Sequence, residues 1–175
     1  MELLRPAVNP KEARGQLIWF LVWTAVTAID AYLTPDAHGH GTHQQLGFPP
    51  CPSVLIFDRP CPGCGLTTSW SDLIHGHFGL AFEAHPLGPP LYLLFTASAW
   101  LCLYAWRKGQ VVVTDNPIMS RLGIAGLILF IGFGGIRMAL TPHFGTNGER
   151  LLANIITGHR PATRVAKTLP SPKGR

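Results

Sequence analysis

A chain of 175 residues in which only 13% are charged, with a net charge of +5, differs in composition from soluble domains, where charged residues make up about 25%. Hydrophobic residues are 47% of the chain and collect in long runs, which favours a membrane protein. The sequence contains no phosphate-binding loop, dinucleotide fingerprint or haem-attachment motif. It therefore favours a protein that is not an enzyme.

Three apolar segments predict transmembrane helices. They cover residues 16–33, 87–106 and 122–140, and each approaches the length of about 20 residues that a helix needs to cross a bilayer. None carries the polar stripe that a helix of a soluble bundle would show. The first is longer than the apolar core of a signal peptide and is expected to remain as an anchor. The sequence thus predicts an all-α integral membrane protein with three transmembrane helices.

Basic residues decide the predicted topology. The N-terminal arm, residues 1–15, and the loop of residues 107–121 are both basic, and both are predicted to lie in the cytoplasm. The loop of residues 34–86 has Arg59 as its only Lys or Arg and is predicted to face outward. This order also sends the basic tail, residues 141–175, outward, although basic segments usually stay inside. Apart from a short apolar patch, we expect this tail to be largely flexible.

The outward loop carries most of the reactive side chains. It holds six of the eight histidines and three of the four cysteines. Its prolines disfavour regular strands, and residues 66–75 predict a short amphipathic helix lying at the outer membrane surface. Cys61 and Cys64 come just before this helix, whose positive N-terminal dipole would lower a thiol pKa.

Three interpretations of Cys51, Cys61 and Cys64 remain open. An outward loop meets an oxidising compartment, which favours a structural disulfide between two of them. The Cys-x-x-Cys spacing also suits zinc, with a fourth ligand supplied by one of three nearby histidines, His75, His77 and His85. Finally, Cys61 and Cys64 can form a thiol redox pair. A separate, weaker metal candidate is the histidine-rich tract that contains His38, His40 and His43.

The motif Cys61-Pro62-Gly63-Cys64-Gly65-Leu66-Thr67 leads into a short helix and then into the second apolar segment. This arrangement resembles the small bacterial membrane-protein family catalogued as domain of unknown function 2752, over roughly residues 46–140. Arg137 matches an arginine that is common near the end of the last helix of that family. Thr68 stands where the family usually has Arg, and His85 where it usually has Asn. The resemblance implies the membrane architecture and a bacterial inner-membrane location, and it implies no activity.

Together these features predict a small, non-catalytic subunit or accessory factor of a larger membrane complex. Its partners would be the lipid bilayer and other membrane proteins, and its outward loop would be held by a disulfide or by zinc. The alternative is a membrane-tethered thiol-disulfide oxidoreductase or metal-handling protein that uses Cys61 and Cys64. Nucleic-acid binding is not expected, because the basic tail has neither interleaved aromatic residues nor a recognisable module.

Overall fold

The computed structural model describes residues 4–113 and 117–157, and most of these residues are helical. The predicted helical class is therefore confirmed. Two short strands pair antiparallel with Leu4 opposite Val112. In chain order the elements are β1 (Leu4–Pro6), α1 (Pro10–Tyr32), a 3-10 turn (Thr42–Leu46), α2 (Pro52–Phe57), α3 (Leu66–Ile74), α4 (Phe78–Ala84), α5 (Gly88–Arg107), β2 (Gln110–Val112), α6 (Pro117–Leu140) and α7 (Asn147–Thr157).

Helices α1 and α5 pack against each other in opposite directions. The indole nitrogen of Trp19 donates to Ser98 Oγ at 3.1 Å, and that of Trp23, one turn further along α1, donates to Thr96 Oγ1 at 3.1 Å. The ring of Trp23 also lies 5.3 Å from that of Phe95, and aromatic pairs of this kind contribute about 0.5–1.5 kcal/mol beyond their buried area. These contacts fix the register of the two helices.

The two ends of this helix pair differ. At one end, β1 and β2 join the N-terminal arm to the chain that follows α5, and Gln16 Nε2 donates to the Gln110 carbonyl at 3.0 Å. At the other end, α3 covers the C-terminus of α1. There the buried Ser71 hydroxyl lies 3.0 Å from the Asp30 carbonyl and 2.9 Å from the Leu33 carbonyl, groups that a helix terminus would otherwise leave unpaired. We call this second end the cysteine end, because α2, α3 and three of the four cysteines, Cys51, Cys61 and Cys64, lie there.

Helix α6 contacts the cysteine end near its own C-terminus. The ring of Phe133 lies 5.6 Å from that of His85, and Arg59 donates to the carbonyls of Met138 and Ala139, each at 2.8 Å. Further toward the N-terminus, α6 exposes large apolar side chains, including Leu127, Ile128 and Leu129.

One helix of the described residues, α6, is long and apolar enough to cross a membrane. A second candidate is the pair of α4 and α5 taken together, which is bent by 106° at its break. By length and composition, the described residues therefore contain one candidate span, or two if the bent pair forms one span. The topology with three spans remains a prediction from the sequence.

Gly134 of α6 is in direct contact with Pro62. A Cβ at this position would overlap the Pro62 ring and backbone, whereas a Cβ at Gly132 would meet nothing within 4 Å. We therefore expect Gly134→Ala to destabilise the protein by about 1–3 kcal/mol, the usual cost of overpacking, and Gly132→Ala to have no such effect. Thermal unfolding of both variants in the same detergent measures the difference, and equal midpoints would contradict the contact.

Residues 147–157, which include the apolar patch that the sequence analysis set apart from the flexible tail, form α7. Its start carries a capping box, in which Glu149 N donates to Thr146 Oγ1 at 3.3 Å and Thr146 N donates to Glu149 Oε2 at 2.8 Å. The helix lies at the cysteine end, where Arg150 Nε pairs with Asp58 Oδ2 at 3.1 Å. The rest of the predicted tail, residues 158–175, lies outside the described residues.

Candidate metal centre

Two chain segments bring three cysteines together. Cys51 is the N-cap of α2, whose first residue is Pro52, a position that suits proline. Cys61 and Cys64 lie in a tight turn before α3, closed by a hydrogen bond from Cys64 N to the Cys61 carbonyl at 3.1 Å. The Sγ atoms of Cys51, Cys61 and Cys64 all lie within 4.8 Å of one another. We call these three residues the cysteine cluster.

The cysteines of the cluster are free thiols. The Sγ atoms of Cys61 and Cys64 are 3.1 Å apart, well beyond the bond of about 2.05 Å in a disulfide. Two sulfurs bound to one tetrahedral zinc at the usual bond length stand about 3.8 Å apart, so this pair would have to widen by about 0.7 Å to accept the metal. A disulfide, one of the three interpretations of these cysteines, is therefore not seen, and the spacing of Cys61 and Cys64 is close to what a metal requires.

Hydrogen bonds within the cluster separate the acidities of its thiols. The contact with the Cys64 sulfur at 3.1 Å, with a smaller contribution from Cys51, lowers the pKa of Cys61 to about 5. The same contact and burial raise the pKa of Cys64. The metal-free pair therefore favours the thiolate at Cys61 over the thiolate at Cys64. A thiolate is the form that binds metals.

Two side chains from distant parts of the sequence hold the turn of residues 61–64. His85, which is fully buried, lies with Nε2 3.0 Å from the Pro62 carbonyl. Since a carbonyl only accepts, Nε2 carries the proton. Arg137 of α6 donates to the Cys64 carbonyl at 2.6 Å and to the Ala84 carbonyl at 2.8 Å. His85 and Arg137 thus position the cysteines.

Gly65, directly after the turn, permits this close packing. Its φ of 86° lies in the left-handed region, which glycine adopts without strain. A Cβ here would also overlap the backbone carbonyls of Ala84 and Gly39. The start of α3 can therefore lie directly against the end of α4.

The cysteine cluster opens onto a cavity of about 430 Å³, which we call the cysteine cleft. Besides the three cysteines, its walls include His40, His43, Phe48 and Glu149. His40 and Glu149 form a buried pair with His40 Nε2 3.0 Å from Glu149 Oε2, and the centre of the His40 ring lies 4.3 Å from that of Phe144, with the two rings tilted by 33°. The pair attaches α7 to the wall of the cleft.

The three histidines predicted as partners of the cysteines have other contacts. The Nδ1 atom of His75 lies 2.7 Å from the Ser71 carbonyl, and Nδ1 of His77 lies 3.4 Å from Asp72 Oδ1. His85 holds the Pro62 carbonyl, as described above. Within the described residues, the cysteine cluster is the one group of three or more metal-type ligands whose donor atoms lie this close together.

The histidine-rich tract does not converge on a site of its own. The backbone and Nδ1 of His38 lie 2.8 and 2.9 Å from Asp36 Oδ1, while His40 pairs with Glu149. His43 alone of the three lines the cysteine cleft without a hydrogen-bond partner among the described residues.

The sequence did not predict that Glu149 and Arg137 would have roles at the candidate metal centre. For Glu149, the Thr-x-x-Glu pattern of residues 146–149 could have indicated a capping box at the start of a helix.

The acidity of Glu149 makes the attachment of α7 dependent on pH. Burial alone would raise its pKa, but the hydrogen bonds from His40 and Thr146 outweigh that effect and lower it below the ordinary value of 4.5. A depressed carboxyl pKa stabilises the folded state above the unfolded value, and this stabilisation is lost as the pH falls through the folded value. We expect the protection factors of α7 amides against hydrogen exchange to fall selectively below about pH 4.5, the ordinary pKa.

A matched variant checks the origin of this acid sensitivity. Glu149→Gln keeps the size of the side chain and removes its titration, so α7 should exchange faster at neutral pH and lose the selective acid response. An acid response that persists in Glu149→Gln would assign the effect to another group.

No curated protein and no solved structure matches the chain. A family model, described as protein of unknown function (DUF2752), matches residues 51–99. This stretch contains all three members of the cysteine cluster, helices α3 and α4, and the first part of α5. The match confirms the resemblance that the sequence predicted: residues 51–99 of this chain are similar to the DUF2752 family.

Proposed function

We propose that the chain is a small integral membrane protein whose outward-facing cysteine cluster holds a zinc-type metal, and that it serves as an accessory subunit of a larger membrane complex. The observation that carries the proposal is the convergence of three free thiols within 4.8 Å at an open cleft. Thiolates are the ligands that zinc and other soft metals prefer. The metal would join α2 to the turn before α3 and so stabilise the cysteine end.

Three membrane-spanning helices fit the contacts between the elements. Helices α1 and α5 pair in opposite directions, and α6 has its C-terminus at the cysteine end through Gly134 and Arg137. The shortest of the three, α5, has 20 residues, which gives a length of about 30 Å. That length matches the hydrocarbon core of a bilayer.

The basic segments support an outward cysteine end. The N-terminal arm and the chain after α5 meet at the β1–β2 end of the helix pair, and positive segments of this kind stay in the cytoplasm. The start of the tail, in contrast, contacts the cysteine end through Asp58, as an odd number of spans requires. Arg150 is paired there with Asp58, so one basic residue of the outward segment is neutralised.

The surface of α6 suits a partner in the membrane. Its large apolar side chains are exposed, and a Cβ added at Gly123, Gly126 or Gly132 would meet nothing within 4 Å. Small residues on a transmembrane helix let a second helix approach closely. Lipid covers the same face when no partner is bound.

Thiol labelling of intact cells tests the proposal. A membrane-impermeant maleimide is applied with and without a chelator and with and without a reductant, and the labelled cysteines are identified by mass spectrometry. We expect the cysteine cluster to be protected until the chelator is added. Protection that is released by reductant instead would establish a disulfide, and labelling only after permeabilisation would place the cluster in the cytoplasm.

The second candidate is a membrane-tethered thiol-disulfide oxidoreductase. It is favoured by the 3.1 Å separation of the two Sγ atoms of Cys61 and Cys64 and by the lowered pKa of Cys61. In this function the Cys61 thiolate attacks a substrate disulfide, and Cys64 then displaces the reduced substrate to form the 61–64 disulfide. Rapid maleimide labelling of Cys61 near pH 6 without any chelator would favour this candidate over the metal centre.

A further inference from the structure

We propose that His43 is the fourth ligand of the metal, which would complete a Cys₃His site with Cys51, Cys61 and Cys64. This inference rests on the proposed metal-holding function. Three thiolates leave one position of a tetrahedral zinc open, and structural zinc sites fill it with a fourth protein ligand. The question is therefore which side chain of the cleft is free to bind.

The other histidines at the cysteine end are less suitable. His75, His77 and His85 do not line the cysteine cleft. His40 lines the cleft, but both of its ring nitrogens are engaged: Nε2 lies 3.0 Å from Glu149 Oε2 and Nδ1 3.2 Å from the His38 carbonyl. Using His40 would break its buried pair with Glu149.

His43 differs from these residues because it lies beside the cysteine cluster and its ring has no hydrogen-bond partner among the described residues. It lines the cysteine cleft with the three cysteines and is half-buried. In residues 4–113 and 117–157 its ring makes no hydrogen bond. An imidazole with no competing partner breaks no contact when it binds a metal, whereas His40 would first have to break one.

The backbone beside His43 is fixed to the helix that follows the cysteines. Thr42 is fully buried, and its Oγ1 lies 2.8 Å from Thr68 Oγ1 at the start of α3. Thr42 Oγ1 also accepts from Asp36 N at 3.0 Å. The ring of His43 does not yet lie within 4.8 Å of all three thiols, so metal binding requires its side chain to turn into the cleft while the neighbouring residue stays in place.

Charge also favours a neutral fourth ligand. Zinc with three thiolates carries a net charge of −1. A carboxylate such as Glu149 as the fourth ligand would make the net charge −2 at a partly buried site. Imidazole adds no charge. The remaining −1 is offset by the guanidinium of Arg137, which donates to the Cys64 carbonyl, and by the N-terminal dipole of α3.

Cobalt(II) substitution of the purified full-length protein in detergent tests the assignment. Cobalt reports its ligands through visible d–d bands and through thiolate charge-transfer absorption. We expect His43→Ala to weaken cobalt and zinc binding at least about 10- to 100-fold, since changes to outer-shell partners alone reach that range, and to alter the d–d bands. His38→Ala is the matched control, because His38 is exposed and bonded to Asp36.

A second variant keeps the test informative if His43→Ala folds poorly. His43→Cys should restore tight binding and move the spectrum to that of four thiolates, with stronger charge-transfer absorption. Unchanged affinity and spectrum in both His43 variants would overturn the assignment while leaving the Cys₃ metal site intact. A wild-type protein that binds neither cobalt nor zinc would overturn the proposed function, and with it this inference.

Discussion

Replacing Cys64 by serine is expected to lower zinc affinity by more than about 100-fold, because changes that merely touch the outer shell of a zinc site already cost 10- to 100-fold. Cys64 is the buried member of the cysteine cluster, and its Sγ lies 3.1 Å from that of Cys61. A hydroxyl at this position is a poor replacement for a thiolate ligand. Competition with a chromophoric chelator at pH 7.5 measures the change in affinity.

The control for this variant is Cys102→Ser. Cys102 is a free cysteine of α5 and lies near the β1–β2 end together with Arg5 and Val111, so its loss should leave the zinc affinity unchanged. Equal affinities in Cys64→Ser and Cys102→Ser would contradict the metal centre.

The pH dependence of zinc binding provides a second measure of the same site. The pKa of Cys64 is raised, so its thiol remains protonated in the metal-free protein and must lose that proton when zinc binds. Zinc affinity should therefore rise with pH, and binding should release protons that a weakly buffered calorimetric titration detects.

The sequence predicted what depends on local pattern. The long apolar runs became α1, α5 and α6, since runs of this length strongly favour helices. The short helix predicted for residues 66–75 corresponds to α3, Leu66–Ile74. The Cys-x-x-Cys spacing located two of the three thiols, because a turn of this length is itself a local feature.

What could not be predicted depends on contacts between distant residues. The partners of His85 and Arg137 are 23 and 73 residues away in sequence. A histidine near two cysteines equally suggests a metal ligand or a hydrogen-bond donor, and only the fold decides between them. His85 became the donor because its neighbour in space is the Pro62 carbonyl.

Replacement of Arg137 is expected to have the second large effect, a loss of stability. We expect Arg137→Met to destabilise the protein by roughly 2–5 kcal/mol, because it leaves the carbonyls of Cys64 and Ala84 without their donors and each unsatisfied buried group costs about 1–3 kcal/mol. Since α6 would lose its hold on the turn of residues 61–64, maleimide labelling of Cys64 should also accelerate. Urea unfolding in mixed micelles measures the first effect, and labelling rates measure the second.

Two further variants separate geometry from charge. Arg121→Met removes an exposed arginine of the same helix and should change neither measurement. Arg137→Lys keeps the positive charge, but an ammonium lacks the planar fork that serves two carbonyls at once, so its stability should fall between those of wild type and Arg137→Met. If Arg137→Lys is as stable as wild type, charge alone holds α6 in place. If Arg137→Met is also as stable, α6 depends on the contact between Gly134 and Pro62, and the cysteine turn keeps its shape without the arginine.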